Sequence, residues 1–442
     1  MSESIGNTGS GMKLHTKILL ALLVGAVAGI LANTQLGNDN AGVAWVNKYL
    51  AGPAGQIFLR MLFMIVMPLV FSSIALGVAG LGDVRKIGRV GGKAIGYFFA
   101  TTLLAATFGL VAVYAVQPGA GLSEEIKAEL MSTYAAAAAS SMSAQEAGGF
   151  GINTFVNIVT RNPVKSAADG DMLGVIFFGL LFGVALTQLK PAVAKPMIDV
   201  LQAINDVVIV IVGIAMKIAP YGVAGLIFGV TSHFGFALLK PLGGYVAVVL
   251  GALLLHMFVN LSLILRFIIG INPVTFFAQA RGALVTAFST SSSSATLPAA
   301  LRVAQDNLGI PPKIAGFVLP LGSTMCMNGT AIFEGITVIF LCQVFGINLS
   351  LGGMAIVIIM SVITAIGAAG VPGGSIPLLV GILAMMGVPG EAIAIVLGVD
   401  RILDMSRTMV NVAGDLSATA YVAKSEGLWS ASSVGQKAVP AV

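Results

Sequence analysis

Charge is what this sequence has least of. Among 442 residues only 9% are Asp, Glu, Lys or Arg, while 57% are hydrophobic. A water-soluble domain needs about a quarter of its residues charged to cover its surface. This chain falls far short, so soluble classes are excluded and lipid must cover much of what water ordinarily does. Cysteine is nearly missing: Cys326 and Cys342 lie in one apolar segment, too far apart along a helix to bond, which excludes a disulfide scaffold. Basic charge is not massed either. The net charge of +5 is spread along the chain without a stripe, which excludes a nucleic-acid binder. Histidine is scarce (His15, His233 and His256), and none sits in a motif. Serine-based hydrolysis needs a base within reach, so the serine run described below is not read as a nucleophile. Glycine is plentiful, at 55, beside 19 methionines. That usage suits membrane helices, where glycine lets backbones approach closely. The composition predicts an all-α polytopic membrane protein.

A span needs about 20 apolar residues. Such segments are predicted at 17–33, 55–81, 94–116, 172–189, 196–218 and 241–268, after a polar tail at 1–12. The linker 82–93 holds Arg85, Arg89, Lys86 and Lys93 against Asp83, which places it in the cytoplasm by the positive-inside rule. The stretch 117–171 carries six acids and three bases and is expected outside, with its Ala- and Ser-rich piece 134–148 as a loop. Lys190, Lys195, Lys424 and Lys437 return the chain inside, so both termini are expected in the cytoplasm.

Beyond residue 270 two apolar segments are broken at their centres. Segment 274–304 contains Ser289–Pro298, and segment 351–389 contains Gly367–Pro377. Glycine costs a helix about 1 kcal/mol and proline about 3. Each segment therefore reads as two half-helices meeting at a tip, a re-entrant hairpin, or else as a kinked spanning helix. Irregular backbone at membrane depth persists only where it faces protein or a watery cavity, and paired interruptions point to a transporter site built from inverted repeats.

The last helix, predicted at 390–424, holds Asp400, Asp404, Arg407, Asn411 and Asp415. At 100° per residue these five fall within an arc of about 80°. Each charge at a bilayer centre costs about 2.5–3.5 kcal/mol, so the arc must face partners or water. It is either a set of internal ion pairs, such as Arg407 with Asp404, or a binding site in which Arg407 grips a carboxylate. A second polar cluster, in the helix 312–345, comprises Ser323, Thr324, Cys326, Asn328, Thr330 and Glu334. Asn328-Gly329 is expected to unwind locally and free carbonyls for a small cation. Glu334, the one acid between Asp306 and Glu391, is either a proton carrier or a partner of Arg401 or Arg407. Hydroxyls and free amides at a hairpin tip suit carboxylate binding.

Four motifs, TAFSTSSSSATLPAALRVA, GSTMCMNGTAIFEG, GVPGG and VDRILDMSRTMVNVAGDLSATAYVAK, occur in this order. They resemble the glutamate-transporter family, the dicarboxylate/amino acid:cation symporters, and the likeness extends from Lys13 to Gly427. It implies eight transmembrane helices plus two re-entrant hairpins, a homotrimer in the cell (inner) membrane, and an elevator-type transporter. Helices 1, 2, 4 and 5 within 13–268 would form the trimerisation scaffold. Helices 3 and 6, with the core 269–427, would form the transport domain, and 428–442 a cytoplasmic tail. By the same likeness Arg407 holds the side-chain carboxylate of an acidic amino acid and Asp404 its amino group. Thr330, Thr408 and Asn411 add hydrogen bonds, while Ser292, Ser293 and the backbone at Val371 and Gly373 close over the substrate. A sodium site would draw on Gly322, Thr324, Asn328, Asn411 and Asp415, and Glu334 matches the position that carries the proton in H⁺-coupled members.

Two departures bear on the driving ion. The family pattern Asn-Met-Asp-Gly-Thr reads Cys326-Met327-Asn328-Gly329-Thr330 here, which removes two oxygen donors that a hard cation prefers. Arg401 beside Asp400 is unusual for the family. The resemblance thus implies an H⁺-coupled glutamate/aspartate symporter with reduced or absent Na⁺ dependence and no enzymatic activity or cofactor. A Na⁺-coupled C4-dicarboxylate symporter and an anion-conducting channel are the alternatives.

Overall fold

The computed structural model describes residues 14–37, 40–79, 84–122, 127, 159–169, 172–235, 239–368, 370, 372–431 and 434. The Ala- and Ser-rich stretch 134–148, the N-terminal tail, the last eight residues and Val371 lie outside them. Among the described residues the regular structure is entirely helical. Among the described residues five helical stretches are long and apolar enough to cross a membrane: Thr16–Leu36, Arg89–Val116, Pro191–Phe234, Lys240–Ile269 and Pro312–Val344, the last broken at Cys326 and Met327.

Helix α1 (Leu14–Leu36) leads to α2 (Ala41–Val46), capped by the Asn40 side chain, and then to α3 (Gly52–Met64) and α4 (Val66–Ala79). The span expected at 55–81 is thus interrupted at Ile65. Pro68 has no N–H to donate to the Met64 carbonyl, and the ladder breaks there. Helix α5 (Val84–Val116) begins early enough to make most of the basic linker its first turns. After α6 (Pro163–Asp169) and α7 (Met172–Gln188) comes α8 (Pro191–Phe234), far longer than the 196–218 expected. At about 1.5 Å per residue it is about twice the hydrocarbon thickness. Helix α1 lies along α8 through Gly25 and Gly29. A Cβ at Gly25 would fall 2.5 Å from Ile227 Cγ2, so the small-xxx-small spacing sets this close approach.

Helix α9 (Leu239–Leu255) continues through wide turns to Ile269 and stops at Gly270, whose φ of 81° ends the helix. Two helix–turn–helix pairs follow: α10 (Pro273–Thr290) with α11 (Ser293–Arg302), and α14 (Leu351–Gly367) with α15 (Ile376–Met385). Between them stand α12 (Pro312–Met325) and α13 (Asn328–Val344), and last comes α16 (Asp400–Ser425). The helix expected from 390 becomes continuous only at Asp400, after short turns over Gly390–Leu397. Every residue of α13 except Gln343 is buried, while α1 and α8 expose Leu23, Val24, Val207 and Val210 outward. The polar helix α16 packs against this buried one, which is why its charges sit at the centre of the molecule. The start of the expected tail is not loose: Trp429 is buried and its Nε1–H donates to the Leu308 carbonyl at 2.7 Å.

Candidate functional site

The site is made where three chain interruptions meet the polar stripe of α16. The turn between α10 and α11 is two residues long. Ser291 adopts a left-handed φ of 51° and Ser292 is extended. Ser292 caps α11 by accepting the Ala295 N–H at 3.1 Å, and its hydroxyl donates to the Gly370 carbonyl at 2.5 Å. The Ser294 N–H donates to the same carbonyl at 3.2 Å. The two tips are thus tied together, and a Cβ at 370 would crowd Ser294 Oγ at 2.7 Å and the Ser323 carbonyl at 3.0 Å, which favours glycine there. In the second tip Gly373, at φ 74°, donates its N–H to Asp404 Oδ2 at 3.0 Å.

The third interruption separates α12 from α13. It falls at Cys326 and Met327, and helix resumes at Asn328, so the unwinding expected at Asn328-Gly329 lies two residues earlier. Helix α13 therefore begins inside the protein with free amides. The Asn411 Oδ1 accepts the Gly329 N–H at 2.8 Å and the Thr330 N–H at 3.4 Å, and its Nδ2 donates to Thr330 Oγ1 at 3.2 Å. A side chain on α16 thereby caps the N-terminus of α13.

Arg407 is 2% exposed, which makes its pairing decisive. Its Nη1 donates to Asp400 Oδ1 at 2.8 Å, its Nη2 lies 2.9 Å from Asp404 Oδ1, and its guanidinium stacks 4.2 Å from the Phe333 ring centre. Sequence spacing pointed to the Asp404 pair; Asp400, seven residues earlier and therefore on the same face, is the second partner. A cavity of about 20 Å³ opens between the tips, lined by Ser291, Ser293, Thr330, Asp404, Arg407, Thr408 and Asn411 among others. That is room for about one water. Thr408 turns its hydroxyl back to the Asp404 carbonyl at 2.7 Å. Ser292 and Gly373 act through the tip contacts given above.

The residues expected around a cation are only partly together. Gly322 and Asp415 are close neighbours, since a Cβ on Gly322 would sit 2.6 Å from Asp415 Oδ1, an oxygen left without a hydrogen-bond partner. The Asn328 Oδ1 accepts from Thr102 at 2.9 Å and its Nδ2 is unpartnered. The Cys326 thiol lies 3.9 Å from Asn328 Oδ1. Thr324 stands apart, exposed, with its hydroxyl on the Leu321 carbonyl at 3.0 Å. Among the described residues no three His, Cys, Asp or Glu side chains cluster to hold a metal.

Glu334 is fully buried and makes no ion pair with Arg401 or Arg407. One oxygen accepts the Thr364 hydroxyl at 2.6 Å, and the other has no partner. No local spacing announces Thr364, thirty residues away on α14. Phe333 had a signal, as the residue before Glu334 in a buried motif, but its stacking on Arg407 needed the fold.

Residues 14–425 match the sodium:dicarboxylate symporter family. The chain belongs to that family. It is 35% identical over 406 residues to a proton/glutamate-aspartate symporter of Escherichia coli (strain K12), covering 92% of each chain. It is 33% identical over 422 residues to a C4-dicarboxylate transport protein of Bacillus subtilis (strain 168), covering 94% and 95% of the two chains. It is 32% identical over 448 residues to the human excitatory amino acid transporter 3, covering 92% of this chain and 85% of the relative. Membership of a family of transporters, with several apolar helices long enough to span, makes this a multi-pass membrane protein. In this symporter the polar centre is consequently enclosed by helices that turn apolar residues outward.

Proposed function

We propose that the chain imports glutamate and aspartate by symport with protons. The observation that carries this reading is Arg407, buried at a cavity between two tied tips, with two aspartates as its partners. A substrate carboxylate takes the place of one aspartate on the guanidinium, and Asp404, so released, receives the substrate's ammonium. Thr330, Thr408, Asn411, Ser293 and the Gly373 backbone supply the remaining hydrogen bonds. The cavity is too small for an amino acid, so entry requires breaking the bonds from Ser292 and Ser294 to Gly370.

Glu334 carries the proton in this reading. It is buried, lacks a cationic partner, and a proton would satisfy its unpartnered oxygen. Sodium dependence is reduced or absent, because the cluster at Asp415 offers a thiol and an amide where a hard cation needs oxygen and charge. The two helix–turn–helix pairs are re-entrant hairpins among eight spans, in a homotrimeric elevator in the inner membrane with cytoplasmic termini. The scaffold takes helices 1, 2, 4 and 5 of 13–268, and the transport core lies in 269–427.

Uptake into sealed proteoliposomes, with sodium and pH gradients imposed separately, tests the reading. A pH gradient, acid outside, is expected to drive aspartate above its external concentration without sodium. Accumulation only under a sodium gradient would overturn the proton assignment, and equilibration without accumulation would make the protein a channel.

A further inference from the structure

Asp404 has one neighbour that the proposed binding mode leaves without a task. Arg401, three residues earlier on α16, is 8% exposed, with its Nη1 3.7 Å from Asp404 Oδ2. That separation is a contact of charges rather than a hydrogen bond, and its Nε has no partner. A residue locking the helix would make the bidentate fork that arginine forms readily. Arg401 makes none, yet a guanidinium always keeps its charge. Its effect on Asp404 is therefore electrostatic.

The charge balance gives that effect a direction. Asp400 and Asp404 face Arg401 and Arg407, two against two, so the buried cluster is neutral. Without Arg401 it would carry one net negative charge. A net anionic site attracts a ligand's ammonium and repels a dianion that has none. A neutral site does neither strongly, and an ammonium approaching Asp404 must compete with a cation already beside it. Arg401 is not among the cavity-lining residues, so it acts on the ligand through Asp404.

We propose that Arg401 is a positioning residue that sets specificity: by compensating Asp404 it relaxes the requirement for an amino group and lets dicarboxylates compete with acidic amino acids. This inference rests on the proposed placement of the ligand between Arg407 and Asp404.

The test compares aspartate with succinate, the same carbon skeleton without its amino group, for binding to the full-length purified protein and for inhibition of aspartate uptake. In the wild type, succinate is expected within about a hundredfold of aspartate in affinity. Arg401→Gln should raise the preference for aspartate by about tenfold or more, and Arg401→Lys should restore most of the wild-type ratio. A merely structural role would weaken both ligands alike and leave the ratio unmoved. A ratio in Arg401→Gln within about twofold of wild type overturns the proposal, as does a wild type that prefers aspartate by more than about a thousandfold. The wild-type ratio decides even if Arg401→Gln does not fold. A wild type that binds neither ligand defeats the transport reading itself, and that result is distinct from binding with the wrong ratio.

Discussion

Two groups of buried acids in this symporter, three of the four on α16 and Glu334 on α13, are treated in opposite ways. Asp400 and Asp404 are compensated by the one guanidinium of Arg407, at 2.8 and 2.9 Å. Glu334 and Asp415 each keep an oxygen without any hydrogen-bond partner, and neither forms an ion pair among the described residues. An isolated carboxylate in low dielectric is very costly unless it is paired, coordinates a cation or takes a proton. The first group is complete within the protein. The second is completed only by something that comes from outside. The comparison sets the acids proposed to face an anionic cargo apart from Glu334, the acid proposed to carry the proton.

The largest expected effect comes from removing the compensation in the first group. Arg407→Gln takes away charge-assisted bonds worth about 3–4 kcal/mol together, so aspartate uptake should fall by two to three orders of magnitude. It also strands the buried Asp400 carboxylate and leaves Asp404 only its 3.7 Å contact with Arg401, at a cost of about 3–5 kcal/mol in stability. Asp400→Asn with Arg407→Gln removes charge from both sides and should recover much of the thermal stability without recovering uptake. If uptake returned along with stability, Arg407 would be a brace and the division between the groups would fail.

A smaller effect, of a different kind, is expected in the second group. Glu334→Gln keeps the shape and the Thr364 contact but cannot release a proton. Accumulation driven by a pH gradient should drop by about tenfold, while exchange of aspartate for aspartate continues. Because no ion pair is broken, the thermal transition should hold or rise, unlike that of Arg407→Gln. Proton-driven accumulation that survives this change would remove Glu334 as the carrier.

The stripe on α16 was legible in the sequence because helical spacing alone puts Asp400, Asp404, Arg407, Asn411 and Asp415 on one face, and all five are buried. The turn at Ser291-Ser292 was legible for a similar reason: local backbone chemistry sets it. What was hidden depends on contacts far apart in the chain. The bond from Thr364 to Glu334 and the double acceptance at the Gly370 carbonyl join elements with no shared periodicity. The exact break before α13 was hidden too. Cys326 and Met327 are ordinary helix formers by type, and they leave the helix because α16 offers Asn411 to cap the segment that follows. The basic linker misled in the opposite sense, since positive charge bears on topology rather than on helix formation, and α5 starts at Val84 within it.

The smallest effect is expected where a paired acid lies at the surface, half-buried beside the exposed Arg89. Glu426, just past the end of α16, accepts from Lys93 at 2.6 Å and from Arg89 at 2.7 Å, and Lys93 also donates to the Ser425 carbonyl at 2.7 Å. These bonds from Arg89 and Lys93 pull the Glu426 carboxyl down to about 2. A free glutamate titrates near 4.3, so folding favours the ionised form. The contribution to stability is then fully present above about pH 4 and is lost as the pH falls towards 2, the sign expected for a depressed acid. Glu426→Gln should lower the thermal transition slightly at neutral pH, far less than Arg407→Gln lowers it, and high salt should shrink the difference. It should leave the aspartate-to-succinate ratio and the response to a pH gradient unchanged. If Glu426→Gln instead altered proton coupling as Glu334→Gln is expected to, burial would not be what distinguishes the coupling acid, and the contrast between the two groups would have to be explained some other way.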